Sequence, residues 1–135
     1  MKDESLTEQI IGCAFKVHRT LGPGFLEKVY ENALSIELRR IGLACEQQKP
    51  VPVYYEEERV GEYFADLYIE SRVICEIRST SSFSKEHEAQ LVNYLVASGI
   101  DSGLLIGFGS SVAVRRKFRE PKSPVNPVNP VNPVK

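Results

Sequence analysis

The chain has too few cysteines for a disulfide scaffold, no excess of either charge, and no apolar run of membrane-spanning length. Cys13, Cys45 and Cys75 are odd in number, far apart and without paired spacing. That excludes a disulfide framework and a zinc-ligand pattern, and each reads as a small buried apolar residue. Lys and Arg number 17 against 18 Asp and Glu, for a formal charge of -1 and a pI near 6.1. A strongly basic nucleic-acid-binding domain is therefore excluded. A metal-dependent site remains compatible, since such a site is acidic when empty and accepts phosphate once ions are bound. No stretch reaches the roughly 20 apolar residues of a transmembrane helix. The opening Lys2-Asp3-Glu4-Ser5 lacks the apolar core of a signal peptide. The expectation is a soluble cytoplasmic chain without membrane association.

What is present is an ordinary globular composition, 42% hydrophobic and 26% charged over 135 residues, enough for one domain with its own core. That domain is expected over 1–120. From Pro121 the composition changes to a Pro-Val-Asn repeat. Such a tract favours an extended polyproline-like chain and cannot build a core. Residues 121–135 are read as a disordered tail, with peptide docking as the alternative. Charge is unevenly placed within the domain. Glu56, Glu57, Glu58 and Glu62 form an acidic run, and Arg115, Arg116, Lys117, Arg119 and Lys122 a basic one.

The stretch from Tyr63 to Arg78 reads as two strands and a tight turn, rich in β-branched and aromatic residues. Each arm carries one acid, Asp66 and Glu76, where an apolar residue is expected. A three-residue loop, Glu70-Ser71-Arg72, pairs Ile69 with Val73, Leu67 with Cys75 and Asp66 with Glu76. It sets Ala65, Leu67, Ile69, Val73, Cys75 and Ile77 on one apolar face. Phe64, Asp66, Tyr68, Ile74, Glu76 and Arg78 take the other. A two-residue loop scrambles these faces. Opposed carboxylates repel, so something must compensate. A divalent cation does so, because Mg²⁺ takes hard oxygen ligands. Arg78 on the same face does so as well. On this stretch alone a solvated sheet face with a Glu–Arg pair is the simpler account.

The rest follows in order. Ser5-Leu6-Thr7-Glu8 has the capping-box pattern and opens a helix whose stripe is Ile10, Ile11, Ala14, Val17 and Leu21, stopped at Gly22-Pro23-Gly24. His18 near its end suits a surface or capping role. A second helix runs from about Leu26 to Arg40 and closes at Gly42. Glu27 in its first turn suits the helix dipole, and Glu31 is expected in solvent. Leu43–Gln48 and Val51–Tyr55 read as a strand interrupted at Lys49-Pro50, with Pro50 and Pro52 marking an edge or a bulge. Glu56–Arg59 is a turn, and the hairpin arms run from Val60. A third helix runs from Ser84, its cap, to about Ser98, and Gly99 ends it. Gln90 and Tyr94 share one of its faces. Ser102–Phe108 reads as a buried strand and Val112–Phe118 as a final edge strand. Together these give an α/β fold with a mixed sheet.

Several separated motifs resemble those of one known group. Val17-His18-Arg19-Thr20-Leu21-Gly22-Pro23-Gly24 leads into Gly24-Phe25-Leu26-Glu27-Lys28-Val29-Tyr30. Tyr63-Phe64-Ala65-Asp66, His87-Glu88-Ala89-Gln90-Leu91, Asn93-Tyr94-Leu95 and Gly103-Leu104-Leu105-Ile106 follow. The chain resembles the GxxExxY proteins, within the PD-(D/E)XK nuclease superfamily, over roughly Leu6 to Phe118. The resemblance implies a restriction-endonuclease-like core, α-β-β-β-α-β, here with an extra N-terminal helix and a C-terminal edge strand. It implies a prokaryotic metal-dependent nuclease using Mg²⁺ or Mn²⁺, with nucleic acid as partner and DNA expected over RNA. A homodimer stays open. Asp66, Glu76, the Ile77 carbonyl and Glu27 would be the metal ligands. Gln90 and Tyr94 resemble the Gln-x-x-x-Tyr element of RecB-like nucleases, which orients the substrate or the active site.

One residue departs from the pattern. The superfamily motif ends in lysine, and this chain has Arg78 there. Arginine stays charged and is a poor base, though it can hold a phosphate. Lys49 and Lys85 are candidate substitutes for the lysine. Three readings follow: a nuclease, a nuclease-fold module that binds nucleic acid or protein without cutting, and a structural domain with solvated acids.

Overall fold

Both faces of the central strands are apolar, so each needs a cover, and helices supply it from both sides. The computed structural model describes residues 3–119, and the Pro-Val-Asn tract lies outside them. The elements are α1 (Glu4–Leu21), α2 (Glu27–Arg40), β1 (Cys45–Tyr55), β2 (Glu58–Ile69), β3 (Val73–Arg78), α3 (Lys85–Ser98), β4 (Ser102–Phe108) and β5 (Val112–Phe118). The strands form one mixed sheet in the order β1-β2-β3-β4-β5. Among the described residues β3 and β4 are the one parallel pair, because α3 crosses between them. This is the restriction-endonuclease-like arrangement expected, with the extra helix in front and the edge strand at the end.

Helices α1 and α2 cover one face. Ile10, Val17, Tyr30, Leu34 and Leu38 pack there on Leu67, Ile69, Val73, Cys75, Ile77 and Phe108. Helix α3 covers the other, with Leu91 and Leu95 on Val51, Ala65, Ile74 and Leu105. All seven residues of β4 are buried, as a strand covered on both faces requires.

The ends of α3 follow local rules: the Ser84 hydroxyl accepts from the His87 N–H at 3.0 Å, and Gly99 takes φ +74°. The start of α1 does not. The expected Ser5 capping box is absent, and the helix begins at Glu4 after Asp3, whose side chain makes no capping bond. The Asp3 carboxylate is drawn instead to Arg72 (2.8 Å) and the Ser102 hydroxyl (3.1 Å). There its charge meets a guanidinium, a charge-assisted contact that takes the place of the cap. The interruption expected at Lys49-Pro50 is also corrected: β1 runs unbroken through both prolines. It tolerates them because it is an edge strand, and its pairing shifts at Val53/Tyr54. The turn before β2 is shorter than expected, Glu56-Glu57, with β2 starting at Glu58.

Gly107 of β4 pairs with Arg78 and lies under the loop leading to α3. A Cβ at Gly107 would run into the Thr80 carbonyl oxygen and stand 3.0 Å from the Phe83 ring. Gly107→Ala is therefore expected to lose about 2–3 kcal/mol of stability. Gly12→Ala, with nothing within 4 Å, should be neutral or gain up to about 1 kcal/mol. Thermal denaturation of the two variants compares them directly, and equal melting points would overturn the assignment of Gly107 to a close backbone approach.

Candidate active site

The β2–β3 hairpin turns through Glu70-Ser71-Arg72, as the apolar pattern requires, with Ile69 paired to Val73 and Leu67 to Cys75. Glu70 and Ser71 both take φ +55°, the conformation for which such loops often use glycine. Glu70 is held there by the Ala44 N–H, which donates to its carboxylate at 2.6 Å. The pairing stops at Leu67, so Asp66 and Glu76 are not the ladder pair expected. The strands part, and the acids take up the backbone donors between them. Ile77 N–H donates to Asp66 Oδ2 at 2.8 Å, and Asp66 N–H donates to Glu76 Oε2 at 3.1 Å.

A change of face explains the parting. In β2, Leu67 and Ile69 pack toward α1 and α2, but Ala65 packs toward α3, against expectation. In β1, Gln47 reaches Glu31 and Asn32 on α2, whereas Val51 packs toward α3. Alternate residues of a regular strand share a face. Both strands therefore change phase at the same level, Gln48 in β1 and Asp66 in β2. Gln48 absorbs the change with φ +54°.

The Asp66 carboxylate opens on a cavity of about 560 Å³ lined by Glu27, Lys28, Glu31, Gln48 and Ser79 among others. Glu31 was expected in solvent, yet it is only 3% exposed. Its position explains this: Glu31, Ser35 and Leu38 share the inward face of α2, all buried. Four donor contacts hold it. Lys28 Nζ lies 3.2 Å from both its carboxylate oxygens, Gln47 Nε2 donates to Oε2 at 2.8 Å, and Gln48 Nε2 to Oε1 at 3.0 Å. Gln48 Nε2 also donates to Asp66 Oδ1 at 3.2 Å.

Glu76 is 7% exposed and shares its side of β3 with Ile74, toward α3. Burial first, then the Asp66 charge, pushes its carboxyl up to about 8. Burial also raises Asp66, opposed by the Ile77 N–H and the Gln48 amide. Tyr63 and Tyr94 stack beside Glu76. Both phenols are raised, by burial and then by the Glu76 charge. These burials contradict a solvated sheet face.

Arg78 turns back on its own strand. Its Nη1 donates to the Ile77 carbonyl at 2.9 Å and lies 4.0 Å from Glu76 Oε1. The guanidinium thus covers one of the oxygens named as a metal ligand. Among the described residues no three acid, His or Cys side chains converge as a ready-made metal cluster. Two carboxylates of raised pKa and a main-chain carbonyl are nevertheless a hard-oxygen set, and Mg²⁺ commonly takes one or two carboxylates and keeps its waters. The residues fit a divalent cation, with Arg78 as a competitor for the carbonyl.

The remaining candidates are distributed around this centre. Glu27 is exposed on the rim of the Asp66 cavity. Gln90 is exposed on α3, one turn before Tyr94. Lys49 lies over the Tyr68 ring and 3.6 Å from Glu46, and Lys85 lines a separate cavity with Glu88 and Lys117. The lysine that lines the Asp66 cavity is Lys28. The basic strand β5 is largely paired, Lys117 to Glu88 at 2.7 Å and Arg115 to Glu88 at 3.9 Å. Arg119 meets Asp101 at 2.6 Å. Sequence reasoning missed Glu31, Gln48 and Lys28. Only Glu31 left a signal, an acid on the apolar stripe of α2.

A family model described as PD-(D/E)XK nuclease superfamily matches residues 4–120. No curated protein and no solved structure matches the chain.

Proposed function

The chain belongs to the PD-(D/E)XK nuclease superfamily, and from that premise we propose that it hydrolyses phosphodiester bonds, in DNA rather than RNA, with Mg²⁺ or Mn²⁺. The observation that carries the reading is the pair of carboxylates, buried Glu76 and half-buried Asp66, at the point where β2 and β3 part. Two like charges side by side, one of them buried, are unfavourable without a cation. Asp66, Glu76 and the Ile77 carbonyl would hold it, with Glu27 on the rim as a further ligand. A bound divalent ion supplies Lewis-acid polarisation of the phosphate and neutralises the acids.

The protein's own groups supply the rest. Ile77 N–H and Gln48 hold the Asp66 carboxylate at its two oxygens, which limits its rotation. A guanidinium is a poor base and a good phosphate donor, so Arg78 serves as a phosphate clamp. Tyr94, beside Glu76, and Gln90, on the open side of α3, orient the substrate. The stacked ring of Tyr63 keeps water from the α3 side of Glu76.

The test is cleavage of single- and double-stranded oligonucleotides with Mg²⁺ or Mn²⁺. Asp66→Ala is expected to lose roughly 10³-fold or more in rate. A variant as active as its parent sinks the reading. The contact of Arg78 with the Ile77 carbonyl favours a second reading, a module that binds nucleic acid without cutting it. That reading predicts no turnover by the parent and salt-sensitive binding, weakened when Arg78 and Arg115 are neutralised together.

A further inference from the structure

Gln48 is a glutamine in the left-handed region of the backbone, inside a strand, with φ +54°. A non-glycine residue there is strained by about 1 kcal/mol or more. If the chain needed only to change face at this level, glycine would do it without strain. The side chain is what glycine would lack. One amide nitrogen donates to both Glu31 Oε1 (3.0 Å) and Asp66 Oδ1 (3.2 Å).

Those two contacts differ in kind. Glu31 is an anchor: it is buried, and Lys28 and Gln47 hold it independently of Gln48. Asp66 sits at the end of the broken ladder, with its other oxygen on the Ile77 N–H at 2.8 Å. The amide therefore spans from a fixed carboxylate to a functional one. Without it, the Asp66 carboxylate would feel the Glu31 charge with no amide shared between them.

We propose that Gln48 is a positioning residue for the reaction, holding the plane of the Asp66 carboxylate through a bridge to the buried Glu31. The inference rests on the phosphodiesterase reading above for its purpose, and on the geometry alone for its mechanism. Gln48 acts through Asp66 and is not itself a catalytic residue.

The test uses Gln48→Gly, which suits the backbone and removes the amide. Gln48→Asn tolerates the same backbone but is one methylene too short for the bridge, and it serves if the glycine variant folds poorly. Two readouts are compared at equal melting temperature. The first is hydrogen exchange of the Ile77 amide without metal, with the Cys75 amide in the intact ladder as internal control. The second is Mn²⁺ affinity by calorimetry. Exchange at Ile77 is expected to accelerate at least tenfold with Cys75 unchanged, and Mn²⁺ binding to weaken by roughly 10- to 100-fold, the usual effect of losing an outer hydrogen-bond partner. Ile77 exchange equal to the parent's overturns the positioning role, as does undiminished Mn²⁺ affinity in a variant of a metal-binding parent. A parent that binds no Mn²⁺ counts against the metal reading, and the exchange comparison then decides the role of Gln48 by itself.

Discussion

Glu76→Gln is expected to stabilise the metal-free protein at pH 8 by roughly 4 kcal/mol, on the order of 15 °C in melting temperature for a domain of this size. Burial and the neighbouring Asp66 charge hold the Glu76 carboxyl at about 8, against 4.5 for a free glutamate. A carboxyl so raised favours the protonated form in the folded state. Below pH 4.5 both folded and unfolded chains are protonated and there is no penalty. Between 4.5 and 8 the unfolded chain gives up its proton while the folded chain keeps it, so stability falls as pH rises. Above 8 the penalty is complete and constant. The raised Asp66 adds to the same slope. Opposing this, Arg78 at 4.0 Å is partly exposed and screened, and its attraction is the smaller effect. Glutamine keeps an oxygen for the Asp66 N–H and removes the charge. Melting curves in chelator from pH 5 to 8 should show the parent losing stability and the variant nearly flat. A variant less stable than its parent at pH 8 would mean that the Glu76 charge is already compensated without metal. The same substitution should abolish Mn²⁺ binding, because the charge that destabilises the empty site is the one that attracts the ion.

Arg78→Ala is expected to raise Mn²⁺ affinity at least about tenfold, an effect of roughly 1.4 kcal/mol or more. The guanidinium occupies the Ile77 carbonyl at 2.9 Å and places a positive charge beside Glu76. Removing it frees an oxygen donor and relieves like-charge repulsion against the ion. Turnover should not rise with affinity, since the phosphate clamp is lost as well. Arg78→Lys separates the two effects: an ammonium is a compact charge without the planar fork, and it restores the residue type with which the superfamily motif ends. It is expected to raise the cleavage rate over the parent's. Calorimetry with Mn²⁺ and a cleavage assay on the three proteins distinguish these outcomes. Weaker Mn²⁺ binding in Arg78→Ala would show that the arginine supports the metal site rather than competing with it.

Much of this architecture was legible in the sequence because it depends on short-range periodicity. The spacing of Leu67, Ile69, Val73 and Cys75 favours a three-residue hairpin loop over a two-residue one, which turns apolar residues to the wrong face, and the observed pairing is that of the three-residue loop. Ser84 and Gly99 bound α3 because a hydroxyl that meets a free N–H and a glycine that takes positive φ act within one turn of helix. The apolar run from Ser102 to Phe108 fits a strand covered on both sides, and that is what it forms. The two acids in the hairpin were visible as exceptions to the same pattern.

Other features depend on contacts between residues far apart in the chain, and there only the tertiary structure decided. Asp3 abandons a cap for Arg72, 69 positions away. Glu31 is buried because two amides from β1 come to it. The strands part at Asp66 because β1 and β2 change face together, a break in alternation that neither strand announces in its own residues. Arg78 reads as a clamp or a counterion until its rotamer puts it on the Ile77 carbonyl. The sequence by itself determined the order of elements, the hairpin register and the acids that interrupt it, because these follow from period and local capping. The coupling of those acids to Glu31 through Gln48, and the competition of Arg78 for a ligand oxygen, came from the twist and packing that bring separate strands and helices within hydrogen-bond distance.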